Sequence, residues 1–426
     1  MKRIAVIGAG ITGLGAAHRL AKHHHVTLFE AGATLGGHAN TVDVTLGGVT
    51  HGVDTGFLVF NDRTYPNLIK LFDELAVPTA KSDMSFSVQV KARGLEWCGS
   101  DLNAVFAQRK NLASPRFLRM VSQILRFNRE STALVQADAV PDCSLGEYLA
   151  QGGYSQELTD WYLLPMAACV WSCPSATMMQ YPARTFLQFC HNHGLLQGFD
   201  GRPQWMTVRG GSREYVKRIA AGVQDVRVAT PVLSVQHSSG IAPCVQTHDG
   251  TQTFDAVVLA CHSDQALRLL ARPSAAQIDV LKHLRYEANR AVLHTDAAVL
   301  PKTPRAWAAW NYESRQANST QDSAVCCHYL INRLQPLPFK QPVIVSLNPI
   351  SMPQQVIAQF EYEHPIFDAA AVAAQSRLPA IQGADGLWFA GAWAGYGFHE
   401  DGLKSGLTAA EGVLQAMAAS SLAVAA

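Results

Sequence analysis

The sequence is poor in charge for its length. Asp, Glu, Lys and Arg make up 16% of 426 residues, and 34 basic against 33 acidic side chains leave a net charge of +1. That balance supplies no field to gather phosphate backbones, so no nucleic-acid partner is expected. Also missing is any uninterrupted apolar run of about eighteen residues, so no segment reads as a membrane span. The amino end passes from Met1-Lys2-Arg3 through the apolar run 4–7 straight into glycines, without the long apolar region and cleavage site of a secretory signal, and a cytoplasmic protein is expected. Cysteine is odd in number, at nine, and no pair has CxxC spacing; the nearest are Cys169 with Cys173 and the adjacent Cys326 and Cys327. Reduced thiols and no metal site are the expectation. The triplet His23, His24, His25 closes a predicted helix, where imidazoles suit the negative dipole end and solvent better than a metal.

What is present is a globular composition, 48% hydrophobic, and a strong signal at its start. Residues 4–7 (IAVI) read as a buried parallel strand, Gly8-Ala9-Gly10-Ile11-Thr12-Gly13 follows at once, and 14–22 reads as a helix. Gly8 permits the tight turn, Gly10 lets the backbone approach a pyrophosphate, and Gly13 lets the helix pack on the sheet. The free N–H groups of Ile11 and Thr12 at the helix start then meet the phosphates. A second strand, 26–29, ends in Glu30, where a carboxylate can accept both hydroxyls of an adenosine ribose beside Ala31. A dinucleotide site follows from this order of elements.

After Glu30 comes a second diglycine, Gly36-Gly37, and then His38. The arrangement resembles the FAD-binding superfamily of flavin amine oxidases, protoporphyrinogen oxidases and phytoene desaturases. In those families the diglycine lies along the pyrophosphate and flavin, usually followed by arginine where this chain has His38. The resemblance extends to Val53-Asp54-Thr55-Gly56-Phe57, which implies that Thr55, Gly56 and Phe57 pass beside the isoalloxazine. It also implies an adenine contact near Val232 and a carboxy-terminal flavin motif around Gly391, Gly402 and Leu403, with Ala392 where an acidic residue is usual. The strings VDTGFLVFN, NHGLL, GGSREYV and GFHEDGL are similar to a bacterial group of NAD/FAD-binding, amine-oxidoreductase-like proteins often associated with fatty-acid modification.

The implied fold class is α/β: a Rossmann-like FAD-binding domain with a parallel sheet, assembled from 1–62, 204–264 and 383–426. An inserted substrate domain of mixed sheet and helices would occupy 63–203 and 265–382. Residues 100–200 read as helical, and 225–261 as a return to strands. No second GxGxxG follows a strand and no Cys-x4-Cys occurs, so neither an NADPH module nor a disulfide-reductase centre has support.

FAD, held noncovalently for want of a linkage motif near 391–397, is therefore the expected cofactor, and hydride transfer from substrate to N5 the expected chemistry. A helix starting near Gly402 and Leu403, capped by Asp401, would aim its N–H groups at the charge that develops on the flavin. The resemblance points to an apolar, lipid-like substrate, with amine oxidation as the alternative. A prenyl-lipid escort protein, which shares the architecture without flavin catalysis, is disfavoured by the intact Gly and Glu30 fingerprint. Catalytic residues are not readable; Trp393 and Tyr396, which could flank an amine, and His364 are the candidates. Trp161, Tyr162, Trp171, Met178, Met179, Tyr181, Phe186, Phe189 and Trp205 form either a cavity or a core, and His193 and 210–215 lie at junctions where a pocket could form. Residues 116–129 can present Phe117, Met120, Val121, Ile124 and Phe127 amid arginines, an arrangement suited to peripheral contact with the inner face of an anionic membrane. No stable protein partner is expected.

Overall fold

The computed structural model describes residues 1–198, 201–316 and 325–425, the side chains of 420–425 excepted. Five parallel strands form one sheet in the order Asp225–Arg227, His25–Phe29, Arg3–Ile7, Ala256–Leu259, Leu387–Phe389. Ile4 pairs with Val26 on one side and Ala256 on the other, so the opening strand lies at the centre. Helices cover both faces, and the central strands are accordingly buried, continuous apolar runs. A small antiparallel layer of Ser234–Ser238, Ile241–Thr247 and Gly250–Thr253 attaches beside them.

The opening helix, Ile11–Ala21, packs along the carboxy-terminal helix, His399–Ala425. Both present small residues at the crossing: a Cβ on Gly406 would lie 2.1 Å from the Thr12 carbonyl oxygen, and one on Gly15 2.4 Å from Leu403 Cδ1. The two backbones can approach this closely only because those side chains are absent.

A second, seven-stranded sheet stands apart, in the order Val356–Ile366, Arg285–His294, Ile344–Leu347, Cys327–Leu330, Trp310–Ser314, Phe86–Val90, Leu95–Cys98. Beside it lies a helical cluster led by Pro115–Gln136 and including Leu164–Trp171 and Ala183–Asn192. Residues 66–81, assigned above to the insert, pack elsewhere. The helix Pro66–Glu74 buries Leu68, Leu71 and Phe72 in the same core as Leu14 and Tyr215, and Thr79–Lys81 pairs with Trp205–Val208. Glu400 fastens that helix: its carboxylate accepts the N–H groups of Asn67 at 2.9 Å and Leu68 at 3.0 Å, two donors with no intrahelical partner.

No helix among the described residues is long and apolar enough to cross a membrane. Most of the face expected to meet lipid in 116–129 is covered by protein: Phe117, Met120 and Phe127 are fully buried, packed against Trp97, Trp161 and Tyr148, and Val121 and Ile124 are partly buried. The periodicity that suggested an amphipathic surface helix is that of a helix turned inward, because an apolar stripe meets protein as readily as lipid. Two of its arginines are engaged in ion pairs, Arg116 with Glu157 at 2.7 Å and Arg126 with Glu130 at 3.0 Å.

Candidate active site

One cavity of about 660 Å³ runs from the carboxyl ends of the parallel strands to the face of the seven-stranded sheet. Its first half is backbone-rich. Gly8 has φ +99°, and a Cβ there would sit 2.9 Å from the Ala260 carbonyl oxygen; Gly36 has φ +117°, and a Cβ would sit 2.4 Å from that of Ala39. Only glycine fits either place. The opening helix has Gly10 as its N-cap without any side-chain hydrogen bond, and its first ladder bond is Leu14 N to Gly10 O at 2.9 Å. The earlier N–H groups, at Ile11 and Thr12, therefore stand free at the cavity wall, a ready site for a diphosphate.

Glu30 closes the turn by accepting from Ala9 N at 2.9 Å and Gly32 N at 2.8 Å. Ala31, Gly37, His38, Thr55, Gly56, Phe57, Val232 and Gly391 line the same cavity. His38 Nε2 is buried with no hydrogen-bond partner among the described residues. This cradle, with open helix donors, positive-φ glycines and an orphaned buried nitrogen, fits a dinucleotide carrying a flat ring.

Three expected contacts are placed otherwise. Gly13 is not at the cavity but against Gly8, where a Cβ would lie 1.8 Å from the carbonyl oxygen, so it seats the helix on the turn. Gly402 and Leu403 do not line the cavity either. The carboxy-terminal helix begins at His399, and Gly402 N already donates to Phe398 O at 3.0 Å. Asp401 does not cap a start at Gly402; its carboxylate accepts from Phe398 N at 3.0 Å, just before the helix begins. Gly402 and Leu403 are thus packing residues against Ile11, Thr12 and Gly15.

Asp54 explains why the 53–57 segment holds its shape. Its fully buried carboxylate accepts from Ser212 N, Ser212 Oγ at 2.8 Å, Thr41 Oγ1 at 2.5 Å and Gln335 Nε2 at 2.7 Å. Residues 210–215 therefore brace the cavity loop from behind and do not line it. The loop itself is clipped by Phe57 N to His38 O at 2.7 Å and by Thr55 Oγ1 with Tyr362 Oη at 2.9 Å.

The second half of the cavity is apolar, lined by Leu58, Val59, Met84, Trp171, Phe189, Leu195, Trp205, Trp310, Val345, Leu347, Phe367 and Phe398. Of the large side chains singled out in the helical insert, Trp171, Phe189 and Trp205 reach it, while Trp161, Met178, Tyr181 and Phe186 are core. Trp393 is 2% exposed and its indole nitrogen donates to Cys261 O at 3.1 Å, which makes it a fixed wall. Tyr396 belongs with Phe189, ring centroids 5.8 Å apart. His364 faces His38, centroids 5.1 Å apart, and its Nδ1 contacts Asn289 Nδ2 at 3.1 Å, so its proton resides on Nε2.

Sequence reading missed Tyr362, stacked on His38 at 4.9 Å, and His399, stacked on Phe57 at 3.7 Å and bonded to Tyr215 Oη at 2.7 Å. His399 stood within the quoted GFHEDG string, but nothing local shows which way an imidazole turns. His193 is fixed by Nδ1 donating to Phe189 O at 3.0 Å, which leaves its Nε2 lone pair free.

Burial depresses all five cavity imidazoles, His38 and His193 to about 4, His364 and His399 to about 3 and His262 below its ordinary value, with neighbouring histidines adding to the effect at His38, His364 and His399. In the fold they are neutral at pH 7; in the unfolded chain they titrate at the ordinary 6.5. As pH falls below 6.5 the unfolded chain takes up protons that the fold refuses, so stability is lost progressively towards 4. Asp54 and Asp401 act in the opposite sense. Burial raises both to about 6, so the stability they contribute is full below the ordinary 3.8 and is lost as pH rises through 6. These histidines outweigh two carboxyls near neutrality, and thermal denaturation is expected to show Tm falling between about pH 7 and pH 5.5. A flat or rising Tm over that interval would place the imidazoles in water.

The sequence profile of the family described as flavin containing amine oxidoreductase matches residues 11–299. The fold is similar to cyclohexylamine oxidase from Brevibacterium oxydans IH-35A, at a TM-score of 0.67 and 16% identity, covering 98% of this chain and 99% of that one. It is also similar to a CLA-producing fatty acid isomerase from P. acnes (TM-score 0.66, 13% identity, 97% and 98% covered) and to reduced UDP-galactopyranose mutase (0.69, 14%, 97% and 94%). With that match over most of its length and a cradle shaped for the cofactor, the chain belongs to the flavin-containing amine oxidoreductase family and is an FAD-dependent oxidoreductase.

Proposed function

We propose that the enzyme dehydrogenates an apolar, lipid-like substrate. The observation that carries this reading is the lining of the cavity's second half. Aromatic and aliphatic side chains dominate it, its imidazoles are neutral, and the carboxylates lining the cavity, Glu30 and Glu363, both lie outside it, Glu30 at the end of the second strand and Glu363 beside His262. A substrate ammonium would lose its hydration there without gaining a counter-charge, whereas a hydrocarbon gains roughly 25 cal/mol per Å² of buried apolar surface.

FAD supplies a hydride acceptor when bound. Gly8, Gly10, Ile11, Thr12, Gly36 and Gly37 would hold its diphosphate, Glu30 and Ala31 its ribose, Val232 its adenine, and His38, Thr55, Gly56, Phe57 and Gly391 its ring. The aromatic walls exclude water and orient the chain. As hydride leaves one substrate carbon, a proton leaves its neighbour, and His193 Nε2, with its lone pair exposed by the Phe189 bond, accepts that proton. Reaction of the substrate with the flavin under anaerobic conditions tests this. Fatty or prenyl chains should bleach the visible flavin band and amines should not, and His193→Gln should slow the bleaching about 100-fold without changing FAD content. Bleaching by amines with lipids inert reverses the assignment.

The cofactor is held without a covalent bond. Of the two thiols lining the cavity, burial pushes Cys261 up to about 12 and Cys169 also upward, so both stay protonated and unreactive. Acid precipitation is expected to leave the yellow colour in the supernatant; colour in the pellet would show a linkage.

A further inference from the structure

Away from the cavity, the seven-stranded sheet buries a polar cluster that the flavin chemistry does not use. Asn311 pairs with His328 and Tyr312 with Cys327 in the antiparallel ladder, which sets Glu313, Cys326 and His328 together while Cys327 alternates to the opposite face. All three are at most 4% exposed, and one ligand atom from each lies within 4.8 Å of the others. His328 Nε2 is 3.0 Å from Glu313 Oε2 and 3.5 Å from Cys326 Sγ.

A tetrahedral zinc ion bound by imidazole nitrogen, carboxylate oxygen and thiolate sulfur has N–O and N–S edges of about 3.4 and 3.6 Å. The N–S separation is close to that edge, the N–O separation is a few tenths of an ångström shorter where a hydrogen bond spans it, and the O–S separation lies within 4.8 Å. The surroundings are also those of a built site. Asp296 N donates to His294 Nδ1 at 3.1 Å, so the His294 proton is on Nε2, from which it reaches Ser346 Oγ at 2.7 Å. Ser346 Oγ in turn contacts His328 Nδ1 at 2.6 Å. This is an outer partner of the kind that fixes a ligating ring. At the outer edge Lys91, half exposed, pairs with Glu313 Oε1 at 2.5 Å and leaves Oε2 facing inward, so a swing of that side chain opens a path from solvent.

We propose that Glu313 Oε2, Cys326 Sγ and His328 Nε2 form a binding site for a zinc-class divalent ion, with water completing the coordination. Without the ion the group is a closed hydrogen-bonded chain: Ser346 donates to His328 Nδ1, and His328 Nε2 donates to Glu313. With it, the His328 proton moves from Nε2 to Nδ1 and the Ser346 hydroxyl turns to accept it. Cys326 gives up its thiol proton, so one proton is released per ion bound. The site bridges adjacent strands and leaves the cofactor cradle untouched; its consequence is stability.

The test uses the FAD-loaded full chain, cobalt and zinc. Cobalt added to protein stripped by chelator should produce the red-region absorption of tetrahedral cobalt, where flavin is transparent. It should saturate at one ion per chain with one proton released, and Cys326→Ser should abolish it. Cys327→Ser, on the opposite face, should keep it. Zinc should compete and raise Tm in wild type but not in Cys326→Ser. No tetrahedral spectrum in wild type, or an equal one in Cys326→Ser, overturns the proposal, and because the wild-type spectrum alone can do so, poor folding of a variant does not shield it.

Discussion

Gly406→Leu is expected to yield no folded, yellow protein. The carboxy-terminal helix crosses the opening helix at this residue, and even a methyl group there would stand 2.1 Å from the Thr12 carbonyl oxygen. The neighbour is backbone, which cannot rotate away as a side chain can, so the two helices must separate. Overpacking of this kind costs about 1–3 kcal/mol for a few extra methylenes in ordinary cores, and more where backbone must move. Displacement of the opening helix also carries the Ile11 and Thr12 N–H groups off the diphosphate, so stability and cofactor retention should fall together. Gly406→Ala should be intermediate, with lowered Tm and partial loss of FAD. Gly198→Ala, where a Cβ meets nothing within 4 Å, is the control and should behave as wild type. Wild-type FAD content and Tm in Gly406→Leu would show that the helices are not in contact there.

Glu30→Ala is expected to weaken FAD binding by about 100-fold or more while leaving a folded chain. The carboxylate makes two charge-assisted bonds, to Ala9 N and Gly32 N. Each is worth about 1.5–3 kcal/mol, and every 1.4 kcal/mol is a tenfold change in affinity. Its removal loosens the turn that shapes the phosphate cradle and takes away the acceptor for the ribose. Glu30→Gln keeps one acceptor oxygen and should fall between the two. Titration of apoprotein with FAD, followed by quenching of flavin fluorescence, measures this; equal affinity in all three proteins would remove Glu30 from the cofactor site.

The two positions differ in how they announce themselves. Glu30 follows from strand spacing alone, because turn, helix and second strand are consecutive and their geometry is local. Gly406 reads in sequence only as a thin helix face; that it faces Thr12 depends on two helices hundreds of residues apart. The same division accounts for the misplaced helix start. An acidic residue before an apolar run is a cap by local logic, but Asp401 bonds backward to Phe398 N, and the helix gains a further turn in which Glu400 reaches across to cap Pro66–Glu74. The stripe in 116–129 was legible as a stripe and silent about what would cover it. The Glu313, Cys326 and His328 cluster has no motif spacing, since strand pairing created it.

By itself, then, the order of residues determined the parallel α/β cofactor half: continuous apolar strands, glycines where backbone must come close, and a carboxylate at the end of the second strand. These are consequences of short-range sterics and of burial pattern, which neighbours in the chain suffice to specify. The tertiary structure alone decided which aromatic side chains line the cavity and which are core, which imidazoles are buried neutral, and what lies behind Asp54. Desolvation and contact depend on groups brought together from distant parts of the chain, and a linear pattern carries no record of them.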